Sequence, residues 1–236
     1  MMYETNIHKC KRKEMGIVLK RRDNAPIVKD VYGNIIDILM KEMDVSKAVT
    51  YLHSALEKLM KGEFPIHKLI ISKALNSNYK KPEQIAHKVL ADRIGLRDPG
   101  NKPTTGDRIP FVYIQTKNKN ALQGEKIENP EYVLENKLKI DYGHYISNQI
   151  MKPVQQLLSL VLYDLWRQQN KNIQLRRFNK DIEKLKSSIE DYDKLQDKIE
   201  DMKNAEVKKL IFDKYLLQIE NEKQKNNTIN SYFTKR

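Results

Sequence analysis

His8 and Cys10, two positions apart, are the nearest approach in this sequence to paired metal ligands. Cys10 is the single cysteine, so neither a disulfide nor a cysteine-rich zinc module can be built, and no second ligand pair follows at metal-site spacing. Asp and Glu number 31, yet nothing in their spacing converges two of them on a pair of magnesium ions. Those at the starts of helices read as caps. No glycine-rich phosphate loop, Gly-x-Ser-x-Gly elbow or His-Glu-x-x-His helix occurs. What remains is ionic: 44 Lys and Arg leave a formal charge of +13 over 236 residues. That field draws polyanions. The chain reads as a binding module with nucleic acid as the first candidate partner, and ribosome-like or membrane-surface attachment as the others.

The elements that must carry those cations fall into three kinds of sequence. From residue 1 to 47, Met15 to Lys20 reads as a strand entered through a basic run, Arg21 to Pro26 as its break, and Ile27 to Met43 as a helix. The apolar positions Ile27, Val31, Ile35, Ile38 and Leu39 recur at helical spacing. From 48 to 165, Asp44 or Ser46 caps a helix through Val49, Leu52, Leu56 and Leu59 that Gly62 ends. Phe64 to Ile71 reads as a short strand, Pro82 as the first turn of a helix reaching Ile94, and Ile109 to Ile114 as an alternating strand. Asn118 to Glu128 is a polar loop, Asn129-Pro130-Glu131 opens a short helix, and Asp141 to Trp166 is a long helix kinked at Pro153. From 166 to 222 apolar residues Ile182, Leu185, Ile189, Tyr192, Ile199 and Met202 stand among many charges, and the register slips near Leu195 and Gln196. That pattern suits an antiparallel helical hairpin rather than a long parallel coiled coil. Residues 223–236 have little to pack and are expected to be disordered. The expected class is α+β, mostly helical, with a small strand insertion.

No run approaches the roughly 18 apolar residues of a membrane span, and the first residues lack the apolar region of a secretory signal. With one cysteine, an intracellular setting and no membrane partner are expected.

Six blocks resemble, in order, the family B replicative DNA polymerases. Met2-Tyr3-Glu4 is similar to the tail of a Lys-Lys-Arg-Tyr-x-Gly-x-x-Tyr-Glu motif, and Lys13 to Pro26 to the last palm strand and its turn. His87 to Arg93 with Arg97-Asp98-Pro99-Gly100 resembles the thumb segment ending in Arg-Asp-Pro-Gly. Gly106-Asp107-Arg108-Ile109-Pro110-Phe111-Val112 resembles the Gly-Asp-Arg-Val-Pro-Tyr-Val block, and Glu128 to Tyr132 a Glu-Asp/Asn-Pro segment. Asp141-Tyr142, Tyr145-Ile146 and Asn148 to Pro153 are similar to the block ending in Asn-Gln-x-x-Lys-Pro. The flavour is that of the delta-like polymerases of large DNA viruses. Cellular relatives end in cysteine-rich metal modules, and this tail has no cysteine.

The resemblance implies the end of a palm (1–47), a thumb (48–165), a helical extension (166–222) and a tail (223–236). A thumb grips primer-template duplex through its phosphates. Arg97, Lys102, Thr105, Arg108 and Lys88 are the implied contacts, with Arg21 and Arg22 at the palm–thumb junction. Gly106-Asp107-Arg108 reads equally as an internal ion pair. Asn148, Gln149 and Pro153 are expected to fix geometry, and Tyr142 and Tyr145 to be core. The family's catalytic aspartates lie in Asp-x-x-Ser-Leu-Tyr-Pro and Tyr-Gly-Asp-Thr-Asp-Ser motifs, and neither string occurs here. Two-metal phosphoryl transfer needs them, so the isolated chain is expected to be inactive and to hold no cofactor. The complete polymerase would use Mg2+, and the implied partner is the amino-terminal catalytic portion. Asn226 to Phe233 resembles a sliding-clamp peptide in which Ile229, Tyr232 and Phe233 fill an apolar pocket. The alternative to a polymerase segment is a stand-alone basic DNA-binding accessory protein with a thumb-like fold.

Overall fold

The computed structural model describes residues 18–116, 118 and 120–233, without the side chains of Lys20, Lys223 and residues 225–233. Helix α1 (Pro26–Asp37) starts with proline at its first position, where the missing N–H is no loss. It buries Ile27, Val28, Val31 and Ile35, widens into a π-helical turn (Ile38–Glu42), and stops at Met43, whose φ is 53°. Helix α2 (Val45–Met60) is capped by Asp44, whose carboxylate accepts from the Lys47 amide at 2.8 Å. Its buried face of Val45, Ala48, Val49, Leu52, Ala55, Leu56 and Leu59 lies against α1.

A three-stranded antiparallel sheet follows in the order β1 (Ile71–Ala74), β2 (Arg108–Tyr113), β3 (Ile127–Glu128). Ile71 stands opposite Phe111, Ala74 opposite Arg108, and Val112 opposite Glu128. Between β1 and β2 lies α3 (Ala86–Arg97), and after β3 comes α4 (Pro130–Glu135), capped by Asn129. Then α5 (Tyr142–His144), capped by Asp141, runs through a π-helical stretch (Tyr145–Ile150) into α6 (Met151–Ser159) and α7 (Leu162–Gln168). The extension is α8 (Asn172–Ser188) and α9 (Tyr192–Val207), then a π turn (Lys208–Phe212) leading into α10 (Asp213–Phe233).

Several sequence readings shift. Of the strand read over residues 15–20, Val18–Lys20 forms a 3-10 turn closed by the Arg21 amide on Val18 O, and the rest lies outside the described residues. The strand read at 64–71 is instead a 3-10 turn at Ile66–Lys68, entered from an extended Pro65, and the ladder begins only at Ile71. Pro82 opens a single 3-10 turn; Ile85 is extended and α3 starts at Ala86. Pro153, where the sequence reading sets a kink in one long helix, sits in the first turn of α6. The π stretch just before it supplies the wider turn, the Met151 amide reaching back to Ile146 O. The break falls at Val161, where φ is −111° and ψ 17°. The hairpin turns at an extended Ile189, with Asp191 capping α9.

The extension belongs to the same core as the rest. Phe178, Ile182, Val207, Ile211, Phe212 and Tyr215 join one apolar cluster with Ile27, Leu52, Val154 and Trp166. Helix α9 lies along α6. The backbone of residues 223–233 continues α10, and the side chains of Ile229, Tyr232 and Phe233 lie outside the described residues.

Candidate nucleic-acid interface

The β1–β2 ladder is what brings distant cations together. Arg108 opens β2 and reaches across to Ser72 of β1, its Nε donating to Ser72 Oγ at 3.1 Å and a terminal nitrogen to Ser72 O. Asp107 is engaged elsewhere. Its carboxylate accepts from the Thr104 amide at 2.7 Å and the Thr104 hydroxyl at 3.0 Å, which hold its pKa below the usual value, amide first. This closes the Thr104–Asp107 turn, in which Gly106 has φ +95°, a value side chains rarely tolerate. The internal Asp107–Arg108 pair therefore does not form, and among the described residues no carboxylate pairs with Arg108.

Arg22 and Asp23 meet this ladder across an open groove lined also by Ser72, Lys73, Ala74, Asn76, His87 and Arg108. Three cations thus face one carboxylate, and Asp23 itself lies 3.7 Å from Arg21. On the α3 side, Tyr79 Oη accepts from the Asn76 amide at 2.8 Å and meets His87 Nε2 at 3.1 Å. Burial, then the charge of Lys73, holds His87 below its ordinary pKa.

The remaining expected contacts are distributed differently. Lys88 pairs with Asp92 one turn on along α3. Lys102 lays its stem over Gly95, where an added Cβ would stand 2.7 Å from Lys102 Cγ. Thr105 is exposed in the turn before β2. Arg97 stays at the surface but is paired: its fork closes on both oxygens of Glu128 at 3.1 and 2.9 Å, and its guanidinium lies 3.6 Å over the Tyr132 ring. Glu128 is 3% exposed and is shared with Arg93, 3.4 Å away. That explains why a glutamate can be buried here, and its bond holds Arg97 above its usual pKa. The fork that sequence reading assigns to phosphate ties α3 to β3.

The structure thus joins Arg22 to Arg108, adds Lys73, Asn76 and His87, which sequence reading missed, and leaves Lys88, Lys102 and Thr105 outside the groove lining. Lys73 could have been found only with β1 in its true register. Among the described residues no group of three His, Cys, Asp or Glu converges as a metal site, and no helix is long and apolar enough to cross a membrane.

An α+β body of this kind, with a basic groove at its sheet edge, agrees with what the whole sequence matches. The pattern of DNA polymerase family B covers residues 1–161, and the chain belongs to that family. It is 47% identical over 239 residues to the DNA polymerase of Pyramimonas orientalis virus, covering 99% of this chain and 19% of that protein. Against the DNA polymerase of Acanthamoeba polyphaga mimivirus it is 56% identical over 167 residues, 69% of this chain and 10% of the other. The DNA polymerase delta catalytic subunit of Candida albicans is 37% identical over 148 residues, 62% of this chain and 14% of the subunit. The chain therefore spans 10–19% of the length of these relatives.

Proposed function

We propose that this chain is the segment of a replicative DNA polymerase that grips the primer-template duplex by its phosphate backbone. The observation that carries this reading is the groove in which Arg22, Lys73 and Arg108 converge around a single carboxylate. Such a surface positions a duplex without reading its bases. Arg22 and Arg108 are the first phosphate contacts, Arg21 flanks them, and Lys88, Lys102 and Thr105 form an outer set. Arg97 acts through Glu128, as a positioning residue. The catalytic carboxylates and the Mg2+ they hold belong to the polymerase's catalytic portion, with which this chain works, so the chain alone makes no DNA.

Fluorescence anisotropy with a primer-template duplex tests this. With about six phosphates met, affinity falls roughly a thousandfold between about 50 and 200 mM salt. Arg22→Gln/Arg108→Gln lowers the salt slope by about two for every sequence tried. A flat salt titration would remove the reading.

We propose further that Ile229, Tyr232 and Phe233 dock in an apolar pocket of a sliding clamp; their spacing of an aliphatic residue three before an aromatic pair supports this. Ile229→Ala/Phe233→Ala abolishes clamp capture in a surface-binding assay if so. Unchanged capture sinks the idea.

A further inference from the structure

Helix α8 lies beyond the residues that match the family pattern. Its inner face is settled: Phe178 and Ile182 are buried, and Phe178 stands edge-on to Trp166 with centroids 5.2 Å apart. The outer face of its first half, residues 172–180, carries one sign, and Asp181 and Glu183 follow only in its second half. Arg176, Arg177 and Lys180 are exposed within little more than one turn, and among the described residues no carboxylate pairs with any of them. Elsewhere the extension behaves as a solvated surface does. Lys184 pairs with Asp181 at 3.2 Å, Lys186 with Glu183 at 2.9 Å, and Lys194 with Asp191 at 3.2 Å.

Within α8 itself those three cations gain little, because the carboxylates at helical spacing from Arg177 and Lys180, Asp181 and Glu183, pair with Lys184 and Lys186. Arg176 and Lys180 are four residues apart and repel. The first turn has no acidic residue and Lys171 stands at the N-cap, where the helix dipole disfavours a positive charge. A polyanion reverses every one of these signs. Positions 176, 177 and 180 share one side of a helix, and two arginines offer forked donors that meet phosphate oxygens in pairs. Adjacent arginines occur twice in the sequence, at the groove (Arg21-Arg22) and here.

We propose that this face of α8 is a second contact for the sugar–phosphate backbone of duplex DNA, separate from the groove between the first residues described and β1–β2. It rests on the residues of α8 and holds whether or not the groove is the main grip. The test uses the full chain with a fluorescent DNA duplex of about 30 base pairs, titrated across salt at fixed pH. The variant Arg176→Gln/Arg177→Gln/Lys180→Gln keeps good helix formers at exposed positions. It should match the parent in circular dichroism and thermal midpoint while its log–log salt slope falls by about two to three. Arg176→Lys/Arg177→Lys keeps the slope. The groove variant Arg22→Gln/Arg108→Gln separates the two sites, because the α8 loss appears on top of it. A folded Gln variant with the parent's slope overturns the proposal. So does loss of binding to anionic phospholipid vesicles with DNA binding intact, which would make the face a membrane contact.

Discussion

Tyr145 projects from the π-helical turn with its ring fully buried, and its hydroxyl joins two strangers. It donates to Leu69 O at 2.8 Å and accepts from the Tyr113 amide at 3.1 Å. One phenol thereby fastens β2, which carries Arg108, to the turn that leads into β1, which carries Lys73. Burial raises its pKa far enough that it stays protonated and able to donate. Tyr145→Phe keeps the ring and orphans both backbone groups, which should cost about 1–3 kcal/mol. Urea unfolding would show a lower midpoint at unchanged slope; an unmoved midpoint would mean the two groups find other partners. Tyr145 was legible in the sequence as a core residue. The roles of Arg97 and Arg108 were not, because a cation beside a turn looks alike whether its carboxylate is near or absent. Only the fold decides that Glu128 lies against Arg97 while Asp107 turns to Thr104.

Helix α10 crosses α5 so closely that Gly143 has room for no side chain. A Cβ there would stand 2.6 Å from Ile219 Cγ2. The same corner is held from the turn after α2, where Tyr142 Oη would lie 2.7 Å from a Cβ on Gly62. Gly143→Ala should therefore destabilise the protein by about 1–3 kcal/mol through overpacking. Adding Ile219→Ala opens the space, so the double variant should be more stable than the two single losses summed. Strict additivity in thermal or urea unfolding would show that α10 does not press on this corner. At the scale of elements, helix periodicity located α1 and α2, and the Asn129-Pro130-Glu131 opening located α4. It failed at short strands and 3-10 turns, where Ile66–Lys68 and Ile71–Ala74 each hold too few residues to display a period.

Two histidines record the packing of the whole chain. His53 of α2 meets Tyr215 of α10, Nδ1 lying 3.0 Å from the hydroxyl, and His87 of α3 meets Tyr79. Burial holds both below their ordinary pKa, helped by Lys214 at His53 against an opposing Glu57, and by Lys73 at His87. The folded state thus binds fewer protons than the unfolded one in this range. Their full contribution is present above about pH 6.5 and is lost as pH falls through the lowered folded values. The depressed Asp107 and Asp191 titrate below that window. Thermal midpoints should fall between about pH 7.5 and 5.5 at constant ionic strength, and His53→Gln/His87→Gln should flatten the fall. A parent midpoint that rises on acidification would contradict this assignment.

The sequence by itself determined the family, the mostly helical α+β class, the buried faces of α1 and α2, and the net positive field. Each of these is written in local spacing, residue type or ordered motifs, which need no knowledge of what lies across the fold. The tertiary structure alone decided which cations meet a carboxylate among the described residues. Lys73 and Arg108 become neighbours through the β1–β2 register and Arg22 through the meeting of the residues before α1 with that ladder, and Arg97 is paired because β3 sets Glu128 beside α3. It also decided which residues of α9, α10 and the π turn between them enter the core: Val207, Tyr215 and Phe212. Charge and periodicity report on single elements, whereas a site is made by the contacts between them.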